Sequence, residues 1–326
     1  MKKTIALVTG GYSGESVISY KSAITIQNNI DPDKWTCYTI DINPEGWFYN
    51  APGGDRISVD KNDFSITVDG KKITFDAVLI GLHGTPGEDG KLQGYFDCLN
   101  IRYTSCNAAT SALTFNKRYT VAVAAFGGLK VARSLHLFKS HPVETAEILT
   151  ALKLPVFVKP NNGGSSIGMS KVSEAADLSA ALEKAFKEDD QVLVEEFIKG
   201  REFTIGVFKS KGNVIALPMT EIITKKEFFD YEAKYDGASE EITPANAEES
   251  IAEKVATAAK KAYEIFNCNG IIRIDFIYDE ASDEPFMLEI NTVPGQSEAS
   301  IVPQQVKAMG WSLTEFYSAL IEECFV

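Results

Sequence analysis

Hydrophobic positions along the chain recur with two periods, and the switches between them divide it. Residues 4–9 form a short continuous apolar run of the kind a strand buried on both faces shows. The turn GGYSGE follows and opens a helix from about Glu15 to Asn29, on which Val17, Tyr20, Ala23 and Ile24 fall at the spacing of a core-facing stripe. Strands are expected at 35–42 and 76–81, the second continuous and apolar. Strand, helix and strand in this order predict a doubly wound α/β lobe with a parallel sheet over residues 1–107.

A second region, 108–193, opens with a helix carrying Leu113 and Lys117 and continues with a helix near Val143–Leu152. A strand at Val156–Lys159, the glycine-rich loop 160–168 and a strand around Ser170–Val172 come next. The helix expected over 174–187 has Leu178, Leu182, Ala185 and Phe186 on one side, Ser173 as its N-cap and Glu174 in its first turn. The third region, 194–326, begins with strands at 192–198 and 202–208. A loop from Thr220 to Pro244 is too long for a passive connection, and Phe228, Phe229, Tyr231 and Tyr235 argue against disorder in it. A helix over 247–267 starts after Asn246 with Glu249 three residues on and stops at Gly270, and a last helix starts at Ser312 with Glu315 three residues on.

Between those two helices lies GIIRIDFIYDEASDEPFMLEINTVPGQ, two strands joined by an acidic turn. Alternation gives Ile272, Ile274 and Phe276 one face, and Phe286, Leu288 and Ile290 another. Arg273 and Asp275 then share the opposite face of the first strand, as Glu289 and Asn291 do on the second. Paired as a hairpin, they converge three oxygen donors and a guanidinium. Such oxygens suit Mg2+ carrying phosphate, and a merely wet, half-exposed face fits the pattern equally.

Composition narrows the class. With 326 residues, 44% of them hydrophobic, the chain has ample core for two or three lobes. The net charge of −13, from 32 basic and 45 acidic residues, disfavours nonspecific binding to nucleic acid or an anionic membrane. Cys37, Cys98, Cys106, Cys268 and Cys324 are odd in number and lack CxxC spacing, as reduced thiols of a cytoplasmic protein are expected to be. Met1-Lys2-Lys3 and the apolar run behind it are too short for a signal peptide, and no stretch approaches the roughly 20 apolar residues that span a bilayer.

The sharpest chemical signal is NNGGSSIGMS. Its glycines let backbone N–H groups approach an anion, its serines add hydroxyls, and Lys159 stands just before it. Gly163 and Gly168 have Walker A spacing, but Met169 replaces the required lysine and a strand follows, so a Walker A loop is excluded. At the N-terminus, GGxxG is not the GxGxxG of a dinucleotide site. Glu15 would present a carboxylate at the carboxyl edge of the first strand, where open α/β sheets bind ligands, although a helix start alone also explains it. His83, in LHGTPGEDG, suits a turn or a ligand. With only His83, His136 and His141 present and no GxSxG elbow, nucleophilic hydrolase chemistry is disfavoured. A phosphate loop, lysines, oxygen donors and a lid-like loop together indicate a nucleotide-using enzyme.

These segments, in this order, resemble the D-alanine–D-alanine ligase family of ATP-grasp enzymes: GGYSGESVIS, HGTPGEDGKLQG, TFNKR, VKPNNGGSSIGMSKV, VEEFIKGREFT, FFDYEAKY, RIDF and LEINTVPGQSEASIVP. The resemblance spans nearly the whole chain. It implies two antiparallel sheets gripping ATP, with Lys117, Lys159 and Ser166 on its phosphates, Glu195, Glu196, Phe197 and Ile198 around adenine, and Glu202 on the ribose. It further implies Asp275, Glu289 and Asn291 as ligands of two Mg2+ (or Mn2+) ions, and Arg273 with the Gly295 N–H as oxyanion donors. Glu15, linked through Ser165 and Tyr235, would hold the ammonium of the first D-alanine. Lys234 would close with Tyr235 over the site, His83 would sit near the first amino acid, and Ser300 and Ile301 near the second. The implied reaction makes D-alanyl-D-alanine for peptidoglycan through a D-alanyl phosphate, in a cytoplasmic homodimer. Gly163 departs from relatives that carry Glu there, and Tyr235 matches members that make the dipeptide rather than D-alanyl-D-lactate. A ligase of other substrates and a nonenzymatic ATP-binding regulator are the alternatives; a regulator would not need the oxyanion donor Arg273.

Overall fold

Six consecutive buried residues, Ile5 to Gly10, place β1 (Lys3–Gly10) in the middle of the first sheet. The structure is a computed structural model, and it describes residues 2–163, 167–224 and 239–326. After α1 (Ser16–Asn28) come β2 (Trp35–Asn43), the strands β3 (Gly46–Asn50) and β4 (Arg56–Ser58), and a small separate hairpin, β5 (Ile66–Val68) and β6 (Lys71–Ile73). The lobe continues with β7 (Ala77–Ile80), α2 (Lys91–Cys98) and β8 (Arg102–Tyr103). The sheet order is β4-β3-β2-β1-β7-β8, with β2, β1, β7 and β8 parallel and an antiparallel extension at β3 and β4. The chain moves from β1 to one side and returns on the other, so the loops after β1 and β7 meet at a topological switch point.

α1 does not bury the stripe its apolar residues predict. Val17, Tyr20 and Ile24 are exposed, Ile24 at 62%, and the buried side is Ser19, Ser22, Ala23, Thr25 and Ile26. The inner face is mixed: Ala23 and Ile26 enter an apolar core, while Ser19 Oγ accepts from the His83 N–H and Ser22 Oγ from the Gln296 N–H, at 2.9 and 3.0 Å. Part of the face where an apolar stripe is the usual expectation is therefore polar and hydrogen-bonded.

The central region starts with α3 (Ala108–Phe115) and α4 (Lys117–Phe126). They are two helices rather than one, broken at Asn116, whose side chain accepts from the Tyr119 N–H and caps the second. Four antiparallel strands in the order β11-β10-β12-β9 form the sheet: β9 (Ser134–Phe138), β10 (Val156–Pro160), β11 (Ser170–Val172) and β12 (Gln191–Glu196). The first of these was not foreseen. α5 (Thr145–Ala151) and α6 (Leu178–Glu188) cover one face, burying Val156, Val158, Val192 and Val194 and leaving Phe157 and Lys159 on the other. Alternation along β10 thus separates core from site. The helix expected from 174 begins as a 3-10 turn, Ala175–Asp177, and Ser173 does not cap it. A boundary at 193/194 would cut β12, which pairs along its length with β10 and β9, so this sheet extends to Glu196.

The third sheet is antiparallel, in the order β16-β15-β13-β17-β18, with β14 also on β13. Its strands are β13 (Arg201–Ser210), β14 (Asn213–Ala216), β15 (Thr220–Thr224), β16 (Ser239–Ile242), β17 (Ile272–Asp279) and β18 (Glu284–Asn291). The segment expected as one long loop, 220–244, therefore begins and ends as paired strands. α7 (Glu249–Ile265) packs Val255, Ala259 and Ala262 on Phe203, Ile205, Ile272, Ile274 and Phe276. It starts after Glu248 without a side-chain cap, not after Asn246, and the chain turns back at left-handed Asn267 before reaching Gly270. Two helices close the fold, α8 (Ile301–Ala308) and α9 (Leu313–Glu323), the latter with the expected Ser312–Glu315 capping box. Val302, Val306, Phe316 and Leu320 share one core with Ile5, Leu7, Ile26 and Leu79, so the first and third regions are joined by apolar packing. All five cysteines are free, and among the described residues no helix is long and apolar enough to cross a membrane.

Candidate functional site

The β17–β18 hairpin supplies a polar sheet face. Arg273 stands opposite Asn291 and Asp275 opposite Glu289; one step on, Phe276 stands opposite Met287 and Leu288 has no partner. This bulge corrects the face assignment made from strict alternation. Met287 and Ile290 are buried in the core, whereas Phe286 and Leu288 are only partly buried. The extra residue returns Glu289 and Asn291 to the side of Arg273 and Asp275 while Met287 packs inward.

Asp275 is tightly held. Its Oδ1 accepts from Thr204 Oγ1 at 2.5 Å and from Arg273 Nε at 3.1 Å, and its Oδ2 from Arg273 Nη2 at 3.3 Å. Burial opposes the charge of Arg273, but Asp275, and then Glu289 and Glu88, outweigh it and raise the guanidinium above its ordinary pKa. Asn291 Oδ1 accepts from the Val293 N–H at 3.0 Å, which fixes its amide oxygen at the start of the next loop. Two carboxylates and an amide oxygen on one face form a hard-oxygen set that fits Mg2+. Among the described residues no three His, Cys, Asp or Glu side chains form a group that could hold a metal ion; on this face the third oxygen donor is the Asn291 amide.

The site-facing side of the central sheet carries Lys159, ion-paired with Glu195, the two side chains only 16% and 8% exposed. Asn161 ties this strand end to α4: its carbonyl accepts from the Lys117 N–H and its Oδ1 from the Arg118 N–H, at 3.1 and 2.8 Å. Lys117 Nζ donates to the Gly163 carbonyl at 2.7 Å. Lys117 thus reaches the glycine-rich loop, while the ammonium of Lys159, just before the loop in sequence, is turned to Glu195; Ser165 and Ser166 lie outside the described residues. Glu195 and Glu196 point to opposite faces; Glu196 Oε1 accepts from the Lys153 N–H at 2.9 Å, away from Lys159. Phe197 lies against Phe157 with ring centroids 5.9 Å apart, and Ile198 follows it out of the strand. Glu202 occupies β13 opposite Ile277, two residues from Thr204 and on the same face.

At the switch point, the Tyr12 N–H donates to the Thr85 carbonyl at 2.9 Å and joins the two glycine-rich turns. Glu15 lies against Gly84, where a Cβ would come within 2.4 Å of its Oε2. Burial first, and then the charge of Glu88, raise the Glu15 pKa, with Ser13 and Lys117 among the groups that oppose them. His83 is buried with both ring nitrogens engaged, Nε2 with Ser22 Oγ at 2.8 Å and Nδ1 with the Val293 carbonyl at 2.6 Å, so it is a link within the protein rather than an open ligand group. Gly295 is the partly exposed point of a loop whose neighbours Pro294 and Gln296 are buried, and a Cβ there would meet Ser300 Oγ at 2.8 Å. Ser300 bonds Ser297, and Ile301 begins α8 beside it. Lys234 and Tyr235 lie outside the described residues.

Thr204, Glu88, Ser22 and Asn161 were missed by sequence reasoning. Thr204 could have been found as the same-face neighbour of Glu202, and Glu88 within the HGTPGEDG string. Ser22 lies two helical turns beyond Glu15, a spacing hidden by attention to apolar positions.

The family described as D-ala D-ala ligase N-terminus matches residues 4–106, and that described as D-ala D-ala ligase C-terminus matches residues 117–322. The chain is 45% identical over 320 residues to the D-alanine–D-alanine ligase of Flavobacterium johnsoniae, covering 98% of each. It is 45% identical over 323 residues to that of Parabacteroides distasonis, covering 99% of this chain and 98% of the relative. Among solved structures, the VanG D-Ala:D-Ser ligase from Enterococcus faecalis superposes with a TM-score of 0.90 at 30% identity, covering 99% of this chain and 100% of that one. A Bacillus anthracis D-alanine–D-alanine ligase complexed with ATP gives 0.79 at 26% identity, covering 99% and 97%.

Proposed function

This chain belongs to the D-alanine–D-alanine ligase family, and from that premise we propose how its side chains divide the work of joining two D-alanine molecules at the expense of ATP. The γ-phosphate of ATP passes to the carboxylate of the first D-alanine. The amine of the second attacks the resulting D-alanyl phosphate, and D-alanyl-D-alanine, ADP and phosphate leave. The product serves peptidoglycan synthesis. The observation that carries the reading is the single sheet face on which the bulge gathers Arg273, Asp275, Glu289 and Asn291.

Lys159, released from Glu195, and Lys117 hold the phosphates, with Ser166 completing the loop. Glu195 to Ile198 line the adenine side and Glu202 takes the ribose. Asp275, Glu289 and Asn291 would hold Mg2+, which when bound screens the phosphate charges and holds their oxygens in line. Arg273 and the Gly295 N–H direct donors at the oxyanion that develops when the amine attacks, where fixed donors lower the barrier most. Glu15, with Ser165 and Tyr235, anchors the first ammonium; Ser300 and Ile301 border the second amino acid; Lys234 belongs to the segment that covers the site and excludes water. His83 acts from behind the loop rather than by contact. We read residues 1–107 as the substrate-side lobe and the two antiparallel sheets as the nucleotide grip, in a cytoplasmic homodimer.

The test is phosphate release with ATP and Mg2+ on D-alanine alone, compared with D-alanine plus D-lactate or D-serine, with product mass determined. D-Alanyl-D-alanine as the main product is expected. A preference for either mixed product would overturn the substrate assignment.

A further inference from the structure

One hydrogen-bonded relay crosses from α1 to the loop after β18. The Gln296 N–H donates to Ser22 Oγ at 3.0 Å, and the same hydroxyl bonds His83 Nε2 at 2.8 Å. His83 Nδ1 donates to the Val293 carbonyl at 2.6 Å and stands 3.7 Å from Glu88 Oε1. Ser22, His83, Val293 and Gln296 are all buried, so these bonds are shielded from water. The two ends of the relay grip residues 293 and 296, and Gly295 lies between them.

Val293 anchors the start of this loop in the apolar core with Ile80 and Leu82. Behind the loop lies a cavity of about 20 Å³, lined by Thr292, Val293, Pro294, Gln296, Tyr317 and their neighbours. Beyond Val293, hydrogen bonds help to set the loop's position: the relay on one side, and on the other Tyr317 Oη donating to Gln296 Oε1 at 3.2 Å and Gln296 Nε2 donating to the Pro294 carbonyl at 3.1 Å.

We propose that Ser22 is a positioning residue for the Gly295 amide, acting with His83 to hold that donor where the oxyanion develops. The proposal rests on the oxyanion role given to Gly295 above. Oxyanion donors act through preorganisation, so a shift of a fraction of an ångström in the loop weakens transition-state binding more than ground-state binding. Ser22→Ala removes the middle of the relay and leaves both the Gln296 N–H and His83 Nε2 without a partner.

Steady-state kinetics and binding of a phosphinate analogue of the dipeptide in the presence of ATP and Mg2+ test this. Ser22→Ala is expected to lower kcat by about tenfold or more and to weaken the analogue by a similar factor, while the KM for ATP stays within about twofold. Ser22→Cys, which keeps the volume but is a poorer hydrogen-bonding group, is expected to fall between, and it carries the test if the alanine variant does not fold. A lower melting temperature with unchanged kcat and analogue affinity would make Ser22 merely structural and overturn the proposal. The parent enzyme separates the two readings. If ATP does not tighten the analogue on the parent, the oxyanion role of Gly295 fails and the Ser22 proposal with it; if the parent and Ser22→Ala tighten equally, only the Ser22 proposal fails.

Discussion

Asp275 faces Glu289 directly across the β17–β18 ladder, and the ladder loses one residue of register immediately beyond them. That pairing brings two carboxylates together beside a partly buried guanidinium, an arrangement that costs stability unless a cation and fixed donors offset it. We predict that Asp275→Ala or Glu289→Ala lowers ligation by at least about a hundredfold and leaves the far-ultraviolet circular dichroism unchanged. Chelation of divalent metal is expected to abolish turnover reversibly. Near-normal phosphate release by either variant would refute the metal assignment.

The bulge itself is testable. Deleting Leu288 makes Met287 and Glu289 neighbours, so plain alternation then keeps Met287 on the core face and Glu289 and Asn291 on the site face. Ligation is therefore expected to survive the deletion within about tenfold, with a far-ultraviolet circular dichroism spectrum like that of the parent. Complete loss of ligation in a folded deletion variant would show that the local twist of the bulge, and not the facing alone, places the ligands.

Glu15 gives a pH prediction. Its pKa is raised above the ordinary 4.5, chiefly by burial and then by Glu88. A carboxyl group shifted upward favours the folded state below its unfolded value, and that contribution is lost as pH rises through the folded value. The ionised form binds the ammonium, so D-alanine kcat/KM should fall with acidification at a pH above 4.5. Glu15→Gln should remove that limb, reduce kcat/KM by about a hundredfold and raise the melting temperature at neutral pH. An unchanged acidic limb in the variant would assign the titration to another group.

Gly270 marks a close backbone approach between the first and third regions. Its φ is +66°, and a Cβ would stand 1.7 Å from the Thr104 carbonyl oxygen. Gly270→Ala is expected to destabilise the protein by about 3 kcal/mol or more, since rigid backbone must shift to admit the methyl group. Equilibrium urea unfolding measures this, and a change under about 1 kcal/mol would contradict the contact.

The sequence made some layers of this molecule plain and concealed others. Strands β1, β7, β10 and β17 were legible because continuous or alternating apolar residues leave few other conformations open, and the Ser312–Glu315 cap was legible because it is local. β9 and β16 were not, since the first is a short strand completed by partners far along the chain and the second borders the segment of 225–238. α1 misled for a different reason. Two of its inner side chains bond backbone far along the chain, Ser19 at His83 and Ser22 at Gln296 of the third region, so Ser19 and Ser22 are buried and Ile24 is not. Among the candidate site residues, strand periodicity carried Arg273, Asp275, Glu289 and Asn291 onto one face, but a bulge rather than alternation completes that face. His83 was visible as a residue, but its partners Ser22 and Val293 depend on tertiary structure alone.

The Lys159–Glu195 pair has a consequence for which anions the cleft admits. A cation already matched to an internal carboxylate offers little to a small, weakly charged visitor, because separating the pair uncovers two desolvated charges at once. Only a ligand that brings several charges, together with contacts of its own for the carboxylate, repays that separation. The pair is therefore expected to favour a nucleoside triphosphate over chloride or free phosphate. Millimolar inorganic phosphate should therefore protect Lys159 from amine-directed labelling far less than micromolar ATP; equal protection would contradict that preference.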